Sequence, residues 1–200
     1  QLQATPDMRY RFVGRAPAQL ATRPIVVGFG PAGIFAALIL AQSGFRPIVL
    51  ERGKAVRERT QDTWGLWRKK LLNPESNVQF GEGGAGTFSD GKLYSQIRDP
   101  KHYGRKVLEE FVKAGAPAEI LYVGKPHIGT FRLVGMVEQI RHEIERLGGE
   151  VRFQDTLRVS NRGGPYHNLR GLRAVLVQVH AITPGLRDST LVIAAPLPCV

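Results

Sequence analysis

The chain has 200 residues, 28 of them Lys or Arg against 17 Asp or Glu, which gives a formal charge of +11 and a pI near 10.3. With 42% hydrophobic and 22% charged residues it lies outside the disordered class, whose apolar content is too low to offset the entropy of ordering. The one cysteine, Cys199, excludes a disulfide framework, a Cys-x-x-Cys redox pair and a cysteine zinc site, and it fits a reducing, cytoplasmic compartment. The length suits one generous domain, or one and part of another. A first residue of Gln1 points to processing or a fragment. The basic residues are spread along the chain with no run longer than Arg68-Lys69-Lys70, a distribution that favours a solvated basic surface over a nucleic-acid face.

Pro24 to Phe45 carries no charge and is long enough to span a bilayer as a helix. Its internal order predicts something else. Arg23 to Val27 reads as a short buried parallel strand. Gly28-Phe29-Gly30-Pro31-Ala32-Gly33 then breaks one element and starts another. In this G-x-G-x-x-G pattern Gly28 serves the tight turn, Gly30 lets backbone approach a pyrophosphate, and Gly33 lets the next helix pack on the sheet. Pro31 suits the first helical turn, Ile34 to Ser43 continues the helix, and Gly44 ends it. Phe45 to Leu50 is the second strand, with Glu51 at its carboxyl end. Glu51 stands about 20 residues beyond the first glycine, where an acid hydrogen-bonds the ribose of an adenine dinucleotide. Ala32 and the three glycines would present N–H groups to phosphates, with Pro31, which has no N–H of its own, setting the first turn of the helix whose positive end faces them. Strand, turn, helix and acid together predict a dinucleotide site, with Arg52 beside the acid. NAD and FAD share the ADP half, so this unit alone leaves the choice between them open.

Arg52 to Leu72 is predicted to be partly helical, with Val56, Thr60, Trp64, Trp67 and Leu71 forming a core stripe. Gly81-Glu82-Gly83-Gly84-Ala85-Gly86-Thr87-Phe88-Ser89-Asp90-Gly91 follows as a second glycine-rich loop able to bring N–H groups close to a ligand. It is not a Walker A loop, since Gly91-Lys92 is followed by Leu93. Arg105 to Ala114 reads as a short helix and Arg132 to Leu147 as a clear amphipathic one, with His142 on its surface. Glu150 to Phe153 is predicted to return the chain to the parallel sheet. Residues from Arg158 on read as β-rich, with Leu172 to Val179 paired with Leu191 to Ala195 and a turn over Ser160 to Pro165. No catalytic triad, carboxylate pair or metal-ligand spacing is present. His127 is read either as a loop residue or as one facing a substrate or flavin.

Arg23 to Gly33, Val49-Leu50-Glu51-Arg52-Gly53, Lys125-Pro126-His127-Ile128-Gly129-Thr130, and above all the whole string Phe80 to Leu93 resemble a family of FAD-dependent dehydrogenases of the glutathione-reductase-like superfold. The resemblance covers Pro24 to Thr156. It implies an α/β, Rossmann-like parallel sheet domain that binds FAD through Gly28, Gly30, Gly33 and Glu51. It also implies that Gly83, Gly84, Ala85, Gly86 and Thr87 lie near the pyrophosphate or flavin. Residues 1–22 then look like the tail of an N-terminal extension, 23–157 like the FAD-binding domain, and 158–200 like an incomplete, β-rich C-terminal segment. The family closes its FAD domain with a strand and a glycine turn, whereas here Pro196-Leu197-Pro198 follows the strand. The function so implied is an FAD-binding oxidoreductase, or its cofactor-binding portion, acting on a small-molecule substrate with or without NAD(P)H and without a membrane partner. The alternatives are a non-catalytic dinucleotide-binding module and an NAD-dependent dehydrogenase. An RNA-associated flavoprotein is a further, weaker one.

Overall fold

The structure, a computed structural model, describes residues 6–20, 22–94, 97–155, 174–177 and 191–194. Its strands and helices are β1 (Ile25–Val27), α1 (Pro31–Gln42), β2 (Ile48–Glu51), α2 (Val56–Lys69), α3 (Tyr103–Lys113), α4 (Thr130–Arg146), β3 (Glu150–Phe153), β4 (Ala174–Val177) and β5 (Leu191–Ala194). The sheet order is β3-β2-β1-β5-β4. The first three strands are parallel, with Val26 opposite Val49 and Val49 opposite Val151. Strand β5 runs antiparallel to β1, and β4 antiparallel to β5. The predicted parallel sheet is therefore three strands wide, with an antiparallel pair added beside β1. The predicted pairing of the last two strands is present. The turn over Ser160 to Pro165 and the Pro196–Pro198 departure lie outside the described residues.

The uncharged stretch is divided as its glycines require. A strand, a turn and a helix of 12 residues take it up, and among the described residues no helix is long and apolar enough to cross a membrane. Helix α1 is apolar nearly all round and is buried through Gly33, Ile34, Ala37, Leu38 and Ala41. It is covered by α4, whose stripe Leu133, Met136, Val137, Ile140 and Ile144 is the face predicted by its period. Val26, Phe29, Val49, Ile120 and Ile128 complete this core. The start of the parallel sheet is tied by one side chain. Arg23 donates to the carbonyls of Arg46, Pro47 and Gly148 and pairs with Glu150 at 3.0 Å, so all three strand entries meet on one guanidinium.

Two boundaries and one helix face differ from the predicted ones for local reasons. Strand β2 begins at Ile48 rather than Phe45, because Arg46 has a left-handed φ of 49° and Pro47 follows it. Helix α3 begins at Tyr103, where the Asp99 carboxylate accepts the N–H groups of Tyr103 and Gly104 at 3.0 and 2.6 Å. The stripe predicted for α2 is not a core stripe. Val56 and Thr63 are buried, but Trp64 and Trp67 are 46% and 54% exposed and Leu71 is exposed. The side chain on the buried face between them is Arg59.

Behind α1, the buried Glu110 carboxylate of α3 accepts hydrogen bonds from Lys106 and Lys113, both at 2.8 Å, and from Gln42 at 3.0 Å. Burial alone would raise its pKa, but the two ammonium groups outweigh that and hold it below the ordinary value of 4.5. A depressed carboxylate contributes stability that is present above its unfolded pKa and lost as the pH falls through the folded one. Glu110→Gln is therefore expected to lower stability at pH 7 and to flatten the acid loss that sets in below pH 4.5. Urea midpoints at pH 7 and in mild acid check this, and parallel curves for variant and parent would contradict it.

Candidate functional site

The site is built on the turn between β1 and α1. Gly28 leaves β1 with φ +91°, which only glycine adopts without strain, and its N–H bonds the Leu50 carbonyl at 2.8 Å. Gly30 caps α1 and Pro31 is its first residue. A Cβ on Gly33 would run into the Gly28 carbonyl, so this third glycine sets how closely the helix sits on the turn. Glu51, only 4% exposed, reaches across from the end of β2. One carboxylate oxygen accepts the Phe29 N–H at 2.6 Å and the other the Gly53 N–H at 2.8 Å. The acid is thus anchored to the middle of the glycine turn. A carboxylate has about four acceptor positions, so two are left for hydroxyl groups of a ligand.

The second glycine loop lies directly against the first. The Gly83 N–H donates to the Phe29 carbonyl at 2.9 Å. A Cβ on Gly84 would come to 3.1 Å from Pro31 Cδ and 3.2 Å from Gly30 Cα, and one on Gly86 to 3.9 Å from Pro31 Cγ. Gly83 and Gly84 have φ of +84° and +60°, and a short 3-10 turn, Ala85–Phe88, follows. The resemblance implied that these stretches share one site, and the structure brings them together. Among the described residues, no acceptor is hydrogen-bonded by the N–H groups of Gly30, Ala32 and Gly33 at the start of α1 or of Ala85 and Gly86 in the second loop. Two adjoining sets of free amide donors, one on the positive end of a 12-residue helix, suit an anionic ligand.

Other candidate residues are placed differently. The Thr87 hydroxyl is buried and directed to the Glu82 carbonyl at 3.3 Å. Arg52 pairs with Glu75 at 3.0 Å and lies 4.0 Å from the Phe80 ring centroid, committed to the strand-end loop. His127 is exposed and forms an isolated antiparallel bridge with Lys92. The backbone of Pro126 and Ile128 bonds that of Leu93 and Gly91, so the Lys125–Thr130 segment runs beside the exit of the second loop. His142 is on the surface, as predicted.

Four residues that shape the site are not among the predicted site residues. Phe29 uses both backbone groups, and its ring is fully buried against Phe153, with centroids 6.4 Å apart. Gly53 has no room for a Cβ, which would strike Gly81 Cα. Glu82, fully buried, accepts the Val56 N–H at 2.7 Å and Arg141 Nε at 2.8 Å. Burial pushes its carboxyl up, against the opposing pull of the Val56 N–H and of Arg141. Arg59, also fully buried, donates to the Asn77, Glu82 and Val78 carbonyls at 2.7, 2.6 and 2.6 Å. Desolvation brings its guanidinium down to about 10, while Glu51 and Glu82 act to raise it. A separate cavity of about 420 Å³, lined by Leu38, Gln42, Glu110, Lys113, Ile140 and Arg146 among others, lies at the far end of α1 from the glycine loops.

The sequence matches no protein-family model. It is 59% identical over 139 residues to an uncharacterized protein of Clostridium beijerinckii, a match that covers 70% of this chain and 26% of that protein. The chain thus spans about a quarter of the length of the relative it matches.

Proposed function

We propose that this chain is the FAD-binding portion of an oxidoreductase. The observation that carries the reading is the meeting of the two glycine loops. Gly83 bonds Phe29 at 2.9 Å, and this contact sets the free N–H groups of Gly30, Ala32, Gly33, Ala85 and Gly86 around one place, with the Glu51 carboxylate beside it. In this reading the five amides hold the pyrophosphate and the spare acceptor positions of Glu51 take the ribose hydroxyls of the adenosine half. A buried carboxylate there disfavours a 2′-phosphate, and Arg52, engaged by Glu75 and Phe80, does not offset it. The choice of FAD over NAD rests on the resemblance carried by Phe80 to Leu93.

FAD would supply hydride or electron transfer, and the chain would supply binding, orientation and exclusion of water. Substrate, electron donor and turnover belong to the reading of the longer protein, because the chain spans about a quarter of its relative. Within this chain the single cysteine offers no thiol pair for a relay.

Gly30→Val tests the placement. Its Cβ has room at 3.9 Å from Gly84 Cα, but the two methyl groups beyond would enter the space between the loops. FAD affinity is expected to fall about a hundredfold or more, the scale of roughly 3 kcal/mol. A variant that binds FAD as the parent does would place the pyrophosphate elsewhere.

A further inference from the structure

The second loop is held by a side chain that touches none of the free amides. Arg59 is fully buried on α2, and its fork spans the loop from the Asn77 and Val78 carbonyls to that of Glu82, all within 2.7 Å. Glu82 immediately precedes Gly83, whose N–H makes the contact with Phe29. The guanidinium carbon also lies 4.8 Å from the centroid of Phe88, the last residue of the 3-10 turn. A Cβ on Gly81 would collide with the Arg59 side chain. From the α2 side the Val56 N–H also reaches the Glu82 carboxylate at 2.7 Å, the Lys54 carbonyl accepts the Glu82 N–H at 3.1 Å and Trp67 meets Phe88 edge to face, but the Arg59 fork bonds both the entry of the loop at Asn77 and Val78 and the Glu82 carbonyl.

We propose that Arg59 is the positioning residue of the second glycine loop, setting the Ala85 and Gly86 amides in line with those of Gly30, Ala32 and Gly33. The ligand side of this proposal rests on the dinucleotide reading. The hold on the loop does not. Three carbonyls are met by one planar fork with fixed directions, which a lysine ammonium, a single charged point, does not reproduce. Two roles for Arg59 are therefore separable. If it only neutralised Glu51 and Glu82, Arg59→Lys would serve as well; if it positions the loop, lysine fails.

The test uses the full chain, with amide hydrogen exchange followed in the absence of FAD and FAD affinity measured by titration of flavin fluorescence. In Arg59→Lys and Arg59→Met, the amides of residues 79–88 are expected to exchange about tenfold faster or more, while those of α1 and α4 keep the parent rates. FAD affinity should fall by about tenfold or more in both variants. Gly81→Ala attacks the contact from the other partner and is expected to loosen the same amides, which keeps the proposal open to test if Arg59→Met does not fold. Parent-like loop exchange in Arg59→Lys would overturn it, as would loss of protection spread evenly through α1 and α4. A loosened loop with unchanged FAD affinity would overturn its link to the ligand. A parent chain that binds no FAD would end the FAD reading, while the exchange comparison would still decide the role of Arg59.

Discussion

Replacing Gly33 by alanine is expected to cost about 3 kcal/mol of stability, a large part of the roughly 5–15 kcal/mol that holds a domain together. The added methyl has no flexible neighbour to move aside. It meets the Gly28 carbonyl oxygen, with the Gly28 carbonyl carbon at 2.9 Å, so either the turn or the whole of α1 must shift. Since α1 packs on β1, β2 and α4, a shift would propagate into the core. Gly135 provides the comparison within the same chain. It sits inside α4 with open space where a Cβ would go, so Gly135→Ala should stabilise by about 0.5–1 kcal/mol through helix propensity alone. Urea denaturation of both variants without cofactor measures the contrast. Equal midpoints would contradict the close packing at Gly33.

Glu51→Ala should show two losses that can be read separately. In the chain without cofactor it leaves the buried N–H groups of Phe29 and Gly53 without their acceptor, a loss of about 3 kcal/mol for the pair. With FAD present it also removes the carboxylate assigned to the ribose, so FAD affinity should fall by about one to two orders of magnitude, the scale of a charged hydrogen bond of about 1.5–3 kcal/mol. Glu51→Gln keeps the shape but turns an amide NH2 toward one of two N–H donors, so it should fall between parent and alanine in stability. A variant that loses stability yet binds FAD like the parent would make Glu51 a purely internal tie. That result would contradict the site.

How much of this was legible in the sequence depends on how local each signal is. The β1-turn-α1-β2 unit and its acid follow from glycine spacing, a proline at the first helical position and an apolar run, all of which act within a few residues. The α4 stripe follows from a period. The α2 stripe shows where such reasoning ends. Its spacing fits a helix face, yet only the first half of that face finds cover, and Trp64 and Trp67 meet edge to face, with centroids 5.8 Å apart, at the surface. The buried position belongs to Arg59, which polarity assigns to solvent. Its partners are carbonyls 18 to 23 residues further on, in a loop with no period of its own. Asp99 capping α3 from ahead of its start and Gly53 pressed on Gly81 are contacts of the same kind, visible only once the chain is folded. The juxtaposition of the two glycine loops was implied by resemblance alone. The structure adds a physical account of it: a hydrogen bond to Phe29, a glycine-to-glycine contact, and a buried arginine beneath.

The most direct test of the central claim is the visible absorption spectrum of the purified chain after incubation with FAD and removal of free cofactor. A bound flavin spectrum is expected at about one FAD per chain, released on denaturation and identified as FAD, and absent from Gly30→Val. A parent chain that remains colourless, with no FAD binding up to about millimolar cofactor, where less than roughly 4 kcal/mol of binding free energy would be left, would contradict it.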